Sequence, residues 1–141
     1  MQNMLWGTQK ALSFQTVEID TTAFDGPIPA PALEVPKVTI EDVAAFEAWK
    51  KSNVIAQKQS GYVAIGIKVA LGDFYTDKAR ALADLIKNYG ANELRFTLRQ
   101  DILIRNIKEE NLPFFYQELA KLDFVTLGYN TINDVTACPG T

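Results

Sequence analysis

From Gly61 onward the chain changes its hydrophobic period, and that change limits the folds open to it more than any other feature. Val63, Ile65, Ile67 and Val69 alternate with Tyr62, Ala64, Gly66 and Lys68, the pattern of a strand with one covered face. Leu71-Gly72-Asp73 ends the run. The period then turns helical: Ala79, Leu82, Ala83 and Ile86 fall on one stripe of a helix predicted from a Thr76 cap to about Tyr89, with Gly90 as its stop. Two short runs rich in β-formers follow, Leu94–Leu98 and Ile102–Ile107, placed to pair as a hairpin through Arg99-Gln100-Asp101. Asn111 as cap and Pro113 in the first turn mark a second helix with Leu112, Phe115, Tyr116 and Leu119 on one side, and Phe124–Tyr129 supplies a last strand. The order is βαββαβ. With two similar halves and short loops, it predicts an α+β fold, a ferredoxin-like split βαβ sandwich in which an antiparallel sheet carries two helices on one face.

Ahead of this unit, residues 21–36 hold four of the six prolines and read as an irregular arm. Thr39 is then the expected N-cap of a short amphipathic helix, with Asp42 three residues on and Val43, Ala44, Phe46 and Trp49 at helical spacing. The expected organisation is an arm plus short helix over 1–56 that packs beside a ferredoxin-like unit over 57–132. Residues 133–141 end on Ala-Cys-Pro-Gly-Thr without an element to close them, so the chain reads as cut short there.

Composition narrows the chemistry. A chain of 141 residues with 48% hydrophobic and 22% charged side chains suits one soluble core. Its formal charge of -3 provides no broad cationic field, which argues against a nucleic-acid partner. The sequence holds no histidine, so Ser-His-Asp, Cys-His and His-zinc sites are excluded within it. Its single cysteine, Cys138, cannot form an internal disulfide, and the default setting is cytoplasmic. No window approaches the roughly 20 apolar residues that cross a bilayer, and Met1–Lys10 lacks the form of a signal peptide. Export and a membrane partner are disfavoured.

If Leu94, Phe96 and Leu98 face the helices and the strand runs regularly to Arg99, then Arg95, Thr97 and Arg99 face the uncovered side. Lys68, out of register with Ile67 and Val69, points the same way. Guanidinium forks bind carboxylates bidentately and stay charged at every relevant pH, so this face suits a ligand with several carboxylates. The plainer reading is a solvated sheet face. Phe46, Trp49 and Phe115 read as core, Lys50-Lys51 and Glu109-Glu110 as solvated charges, and Gln57, Lys58 and Gln59 either as a connector or as the lining of a cavity. Cys138, in a Pro/Gly segment, is either a chance surface thiol or a ligand in want of partners.

The runs QKQSGYVAIGIKVALGDF (57–74), NELRFTLRQDILIRNI (92–107) and DVTACPGT (134–141) resemble the sirohaem-dependent nitrite and sulfite reductases. The likeness is to their ferredoxin-like half-domain, which occurs twice per polypeptide, and here to the second copy. The resemblance implies that Arg95, Thr97 and Gln100, on the pattern Arg-x-Thr-x-x-Gln, and Arg99, on the version Thr-x-Arg-Gln, lie near the sirohaem carboxylates and macrocycle. Asp101 stands where an asparagine usually follows the glutamine. Cys138 matches the first cysteine of the motif that holds a 4Fe-4S cluster, a role that needs four thiolates where this sequence has one. The resemblance therefore implies a fragment of a longer reductase, itself inactive and without cofactor. Its parent would take electrons from a ferredoxin or flavoprotein and pass them through cluster and sirohaem to nitrite or sulfite, in a six-electron reduction.

Two rival readings stand beside this one. The superfold also serves regulatory modules that bind small ligands, and the cationic face admits a small carboxylate. An RNA-binding module of the same topology would want aromatic residues on the sheet face and a basic surface, and the central run QDILIRNI has neither.

Overall fold

A computed structural model of the chain describes residues 27–132. In chain order it contains α1 (Val43–Asn53), β1 (Val54–Ala56), β2 (Tyr62–Ile67), α2 (Thr76–Tyr89), β3 (Leu94–Phe96), β4 (Ile102–Lys108) and α3 (Leu112–Lys121). The strands form one antiparallel sheet in the order β1-β2-β4-β3. The expected α+β, ferredoxin-like arrangement is the observed one.

Register explains the layering. Ile65 pairs with Ile104 and Ile67 with Ile102, so their side chains share one face of the sheet. That face meets Leu82, Leu85 and Ile86 of α2 and Leu112, Phe115 and Leu119 of α3 in a common core. Burying side chains of this size contributes about 1.5–3 kcal/mol each. The second layer extends to α1, whose Trp49 and Phe46 rings pack on Tyr116 of α3 at centroid distances of 5.1 and 5.3 Å. The arm runs over the helices: Leu33 N donates to the Asn88 carbonyl at 2.8 Å, and Val35, Val38 and Ile40 pack against the core.

Local signals were partly redirected. Asp42, not Thr39, caps α1, its Oδ1 accepting from Ala45 N at 2.9 Å, while the Thr39 carbonyl accepts from Gln117 Nε2 at 2.8 Å. Thr76 is the first residue of α2 rather than its cap, and Asn111 precedes α3 without a side-chain capping bond. The largest difference concerns the closing strand expected over Phe124–Tyr129. No ladder forms there, and the position beside β2 belongs to β1, tethered to it by the Gln57–Gly61 loop. The backbone of 124–129 is satisfied by side chains of α1 instead: Asn53 Nδ2 donates to the Thr126 carbonyl at 2.9 Å, and Ser52 Oγ accepts from Gly128 N at 2.5 Å.

Candidate functional site

The face of the sheet turned away from α2 and α3 is set by the same register. Leu103, between two inward isoleucines, points outward together with its partners Arg95 on β3 and Gly66 on β2. The alternation breaks once. Val63 pairs with Ile107 but Ile65 with Ile104, so Arg105 and Asn106 together stand opposite Ala64, and Asn106 takes φ 61. This is a β-bulge, and it returns Ile107 to the core. Asparagine suits the left-handed conformation because its short polar side chain finds local partners.

Around the bulge a chain of polar contacts crosses the outer face. Glu93, just before β3, accepts at Oε1 from Arg95 Nε (2.9 Å) and from Arg105 Nη1 (3.3 Å). Its Oε2 accepts from Asn106 Nδ2 at 3.3 Å. Asn106 is held in turn by one amide: its backbone N donates to Gln57 Oε1 at 2.7 Å, and its Oδ1 accepts from Gln57 Nε2 at 3.0 Å. The side chains are partly open to solvent, 45% for Arg95, 36% for Glu93 and 25% for Arg105. Two guanidiniums and one carboxylate leave one net positive charge, and the arrangement suits an oxyanion of the carboxylate type.

The residues singled out in the sequence fall near this cluster in different settings. Arg95 lies on the outer face as expected from alternation. Thr97, Arg99 and Gln100 do not continue it, because β3 ends at Phe96 and the chain turns at once. Thr97 N donates to the Asp101 carbonyl at 2.9 Å, Gln100 N donates to the Thr97 carbonyl at 3.1 Å, and Gln100 sits at φ 65. That is a three-residue hairpin loop closed by a left-handed residue. The Thr97 hydroxyl accepts from the backbone N of Arg99 (3.3 Å) and of Asp101 (3.2 Å), so it serves the loop. Asp101, expected in the turn, is instead buried past it, its Oδ1 accepting from Val69 N at 2.9 Å. Cys138 lies outside the described residues.

Glu93, Arg105 and Asn106 were not singled out beforehand. A signal was present: Ile102, Ile104 and Ile107 break period two by one residue, which is how a bulge reads in a buried strand. A separate concavity of about 640 Å³ lies between the arm and α3, lined by residues such as Val35, Lys108, Glu110 and Phe114. None of the residues of the Glu93 cluster or of the 97–101 hairpin lines it. Among the described residues, no group of three or more His, Cys, Asp or Glu side chains could hold a metal ion, and no helix is long and apolar enough to cross a membrane.

Comparison with known proteins agrees with the fold. The nitrite/sulfite reductase ferredoxin-like half domain matches residues 55–122. Similar proteins include the chloroplastic ferredoxin–nitrite reductase of Betula pendula, 33% identical over 85 residues, or 58% of this chain and 14% of that protein. The corresponding enzyme of Arabidopsis thaliana is 37% identical over 73 residues, covering 50% of this chain and 12% of its own length. The ferredoxin–nitrite reductase of Synechococcus elongatus is 32% identical over 73 residues, covering 50% and 14%. The chain thus spans well under a fifth of the length of these relatives. No solved structure matches it significantly. Residues 55–122 thus fold as, and match, the ferredoxin-like half domain of the nitrite and sulfite reductase family.

Proposed function

We propose that this half domain is the second of two in a sirohaem- and 4Fe-4S-containing nitrite reductase that takes its electrons from ferredoxin. Nitrite is preferred to sulfite, and ferredoxin to a flavoprotein, because the similar proteins are named ferredoxin–nitrite reductases. Residues 1–56 would lead into the half domain at 57–132, and 133–141 would open the domain that carries the cluster. The single cysteine supports a reducing, cytoplasmic location.

The observation that carries the reading is the convergence of Arg95 and Arg105 on one carboxylate, on the face turned away from α2 and α3. Such a donor set fits the acidic periphery of sirohaem. In this reading Arg95 holds a cofactor carboxylate, and Arg99 and Gln100 lie at the hairpin beside it. Thr97 acts through the loop, since its hydroxyl already accepts two backbone bonds. When bound, sirohaem supplies the iron centre at which the anion is reduced. The chain's own residues bind it, orient it and neutralise its charge, which matters because an unpaired carboxylate in a partly dry site is costly. The cluster does not fit this chain alone: four thiolates are required, and Cys138 would be one of them.

The test is Arg95→Ala in the polypeptide that contains the half domain, with sirohaem per chain read from absorbance. Lower occupancy is expected. Full occupancy with full nitrite reduction would remove the assignment.

A further inference from the structure

Arg105 has no counterpart among the residues that first drew attention, yet it shares a carboxylate oxygen with Arg95. Stability does not account for the arrangement. Ion pairs this exposed contribute between zero and about 1 kcal/mol. The cluster nevertheless involves a bulge, a non-glycine residue at φ 61 and a run of hydrogen bonds from Gln57 through Asn106 to Glu93. Bulges re-aim side chains and collect next to binding sites. Here the bulge places Arg105 and Asn106 over one partner residue, Ala64, and both side chains reach Glu93.

We infer that Arg95 and Arg105 form a two-armed clamp for a carboxylate of a bound ligand. Glu93 sets the spacing of the arms, and Asn106, gripped by Gln57, is the positioning residue. The identity of the ligand, a tetrapyrrole with several carboxylates, rests on the function proposed above; the location of the clamp rests on the geometry. Charge-assisted bonds to guanidinium are the stronger class of hydrogen bond, and the fork shape matches carboxylate oxygens two at a time.

The experiment uses the 141-residue chain and two probes. Uroporphyrin III, an iron-free octacarboxylic tetrapyrrole, is titrated at low salt and followed by its fluorescence; citrate, a simple tricarboxylate, is followed by calorimetry. Arg95→Gln and Arg105→Gln should each weaken uroporphyrin binding about tenfold, and Arg80→Gln, on exposed α2 surface, should not. Asn106→Gly tests positioning, because glycine adopts the left-handed conformation freely while losing both side-chain bonds. It should lose binding without lowering the thermal midpoint. If Arg105→Gln does not fold, Arg105→Lys, which keeps the charge and loses the fork, must show the loss instead.

Unchanged binding in a folded Arg105 variant, with binding lost in Arg95→Gln, overturns the clamp and leaves the cofactor reading standing. Arg105-dependent citrate binding without uroporphyrin binding supports the clamp and removes the tetrapyrrole. Failure to bind either probe overturns the clamp. Wild-type affinity in Asn106→Gly overturns the positioning role.

Discussion

Gly66 is the penultimate residue of β2, on the outer face, and a Cβ built there would fall within the ring of Tyr129. Gly66→Ala therefore measures how firmly the segment after α3 is seated on the sheet. Two contributions oppose each other. The backbone of Gly66 is not in the left-handed region, so alanine there gains about 0.5–1 kcal/mol by restricting the unfolded chain. Overpacking against a buried ring costs about 1–3 kcal/mol, and Tyr129 is buried at 8% exposure. The clash dominates. The net loss expected is about 1–2 kcal/mol, a fall in thermal midpoint of several degrees for a domain near this size. The decisive assay is a double-mutant cycle with Tyr129→Ala, read by urea unfolding. Without the ring only the backbone contribution remains, so Gly66→Ala should become neutral or stabilising, with a coupling of about 2 kcal/mol. An equal cost in both backgrounds would refute the claim that the ring defines this position.

Asn53 is fully buried, and its Nδ2 donates to the carbonyls of Gly66 (3.0 Å) and Thr126 (2.9 Å). Asn53→Ala should cost about 1–3 kcal/mol in urea unfolding. Asn53→Asp, nearly identical in shape, should cost at least as much, since a carboxylate cannot donate to either carbonyl; a harmless Asp would show that shape alone matters there. Asp101→Ala should also cost about 1–3 kcal/mol by leaving Val69 N without its acceptor. Asp101→Asn keeps an oxygen at that position for Val69 N, so it should stay within about 1 kcal/mol of wild type, measured by the same unfolding midpoint.

The Asp101 result bears on what the sequence could disclose. Asp101 stands after Gln100, where the resemblance leads one to expect an asparagine. In the fold its Oδ1 accepts from Val69 N, a contact that an asparagine oxygen could also make, so its role here is local and structural. Elements with their own period were legible: β2, α2, β4 and α3 follow from alternation or a 3.6-residue stripe, each within one short stretch. β1 was not, because Val54-Ile55-Ala56 follows α1 without punctuation and becomes a strand only by pairing with β2. The strand expected over Phe124–Tyr129 has a suitable composition, but Ser52 and Asn53, more than seventy residues earlier, take its backbone groups. Competition of that kind leaves no local trace.

The candidate site divides along the same line. Arg95 was readable because one step of alternation from Leu94 places it. Thr97 and Arg99 were not, since the turn depends on Gln100 at φ 65, a conformation that glycine or asparagine would have announced and glutamine does not. The contacts joining Gln57, Asn106 and Glu93 link three segments through a bulge, and only the unequal spacing of Ile102, Ile104 and Ile107 hints at it. The apolar period thus describes the covered face of β2 and β4 well, fails at Phe96 and Leu98, which are exposed, and describes the open face poorly. Side chains on the covered face answer to one requirement, burial; those on the open face answer to specific partners. The matched span of 55–122 is also less than the packed unit. Trp49, 1% exposed, and Asn53 precede it, while Tyr129 follows it. Asn53 ties α1, β2 and the 124–129 segment together, so the path of the chain beyond α3 is governed by residues that no local pattern on the sheet would select.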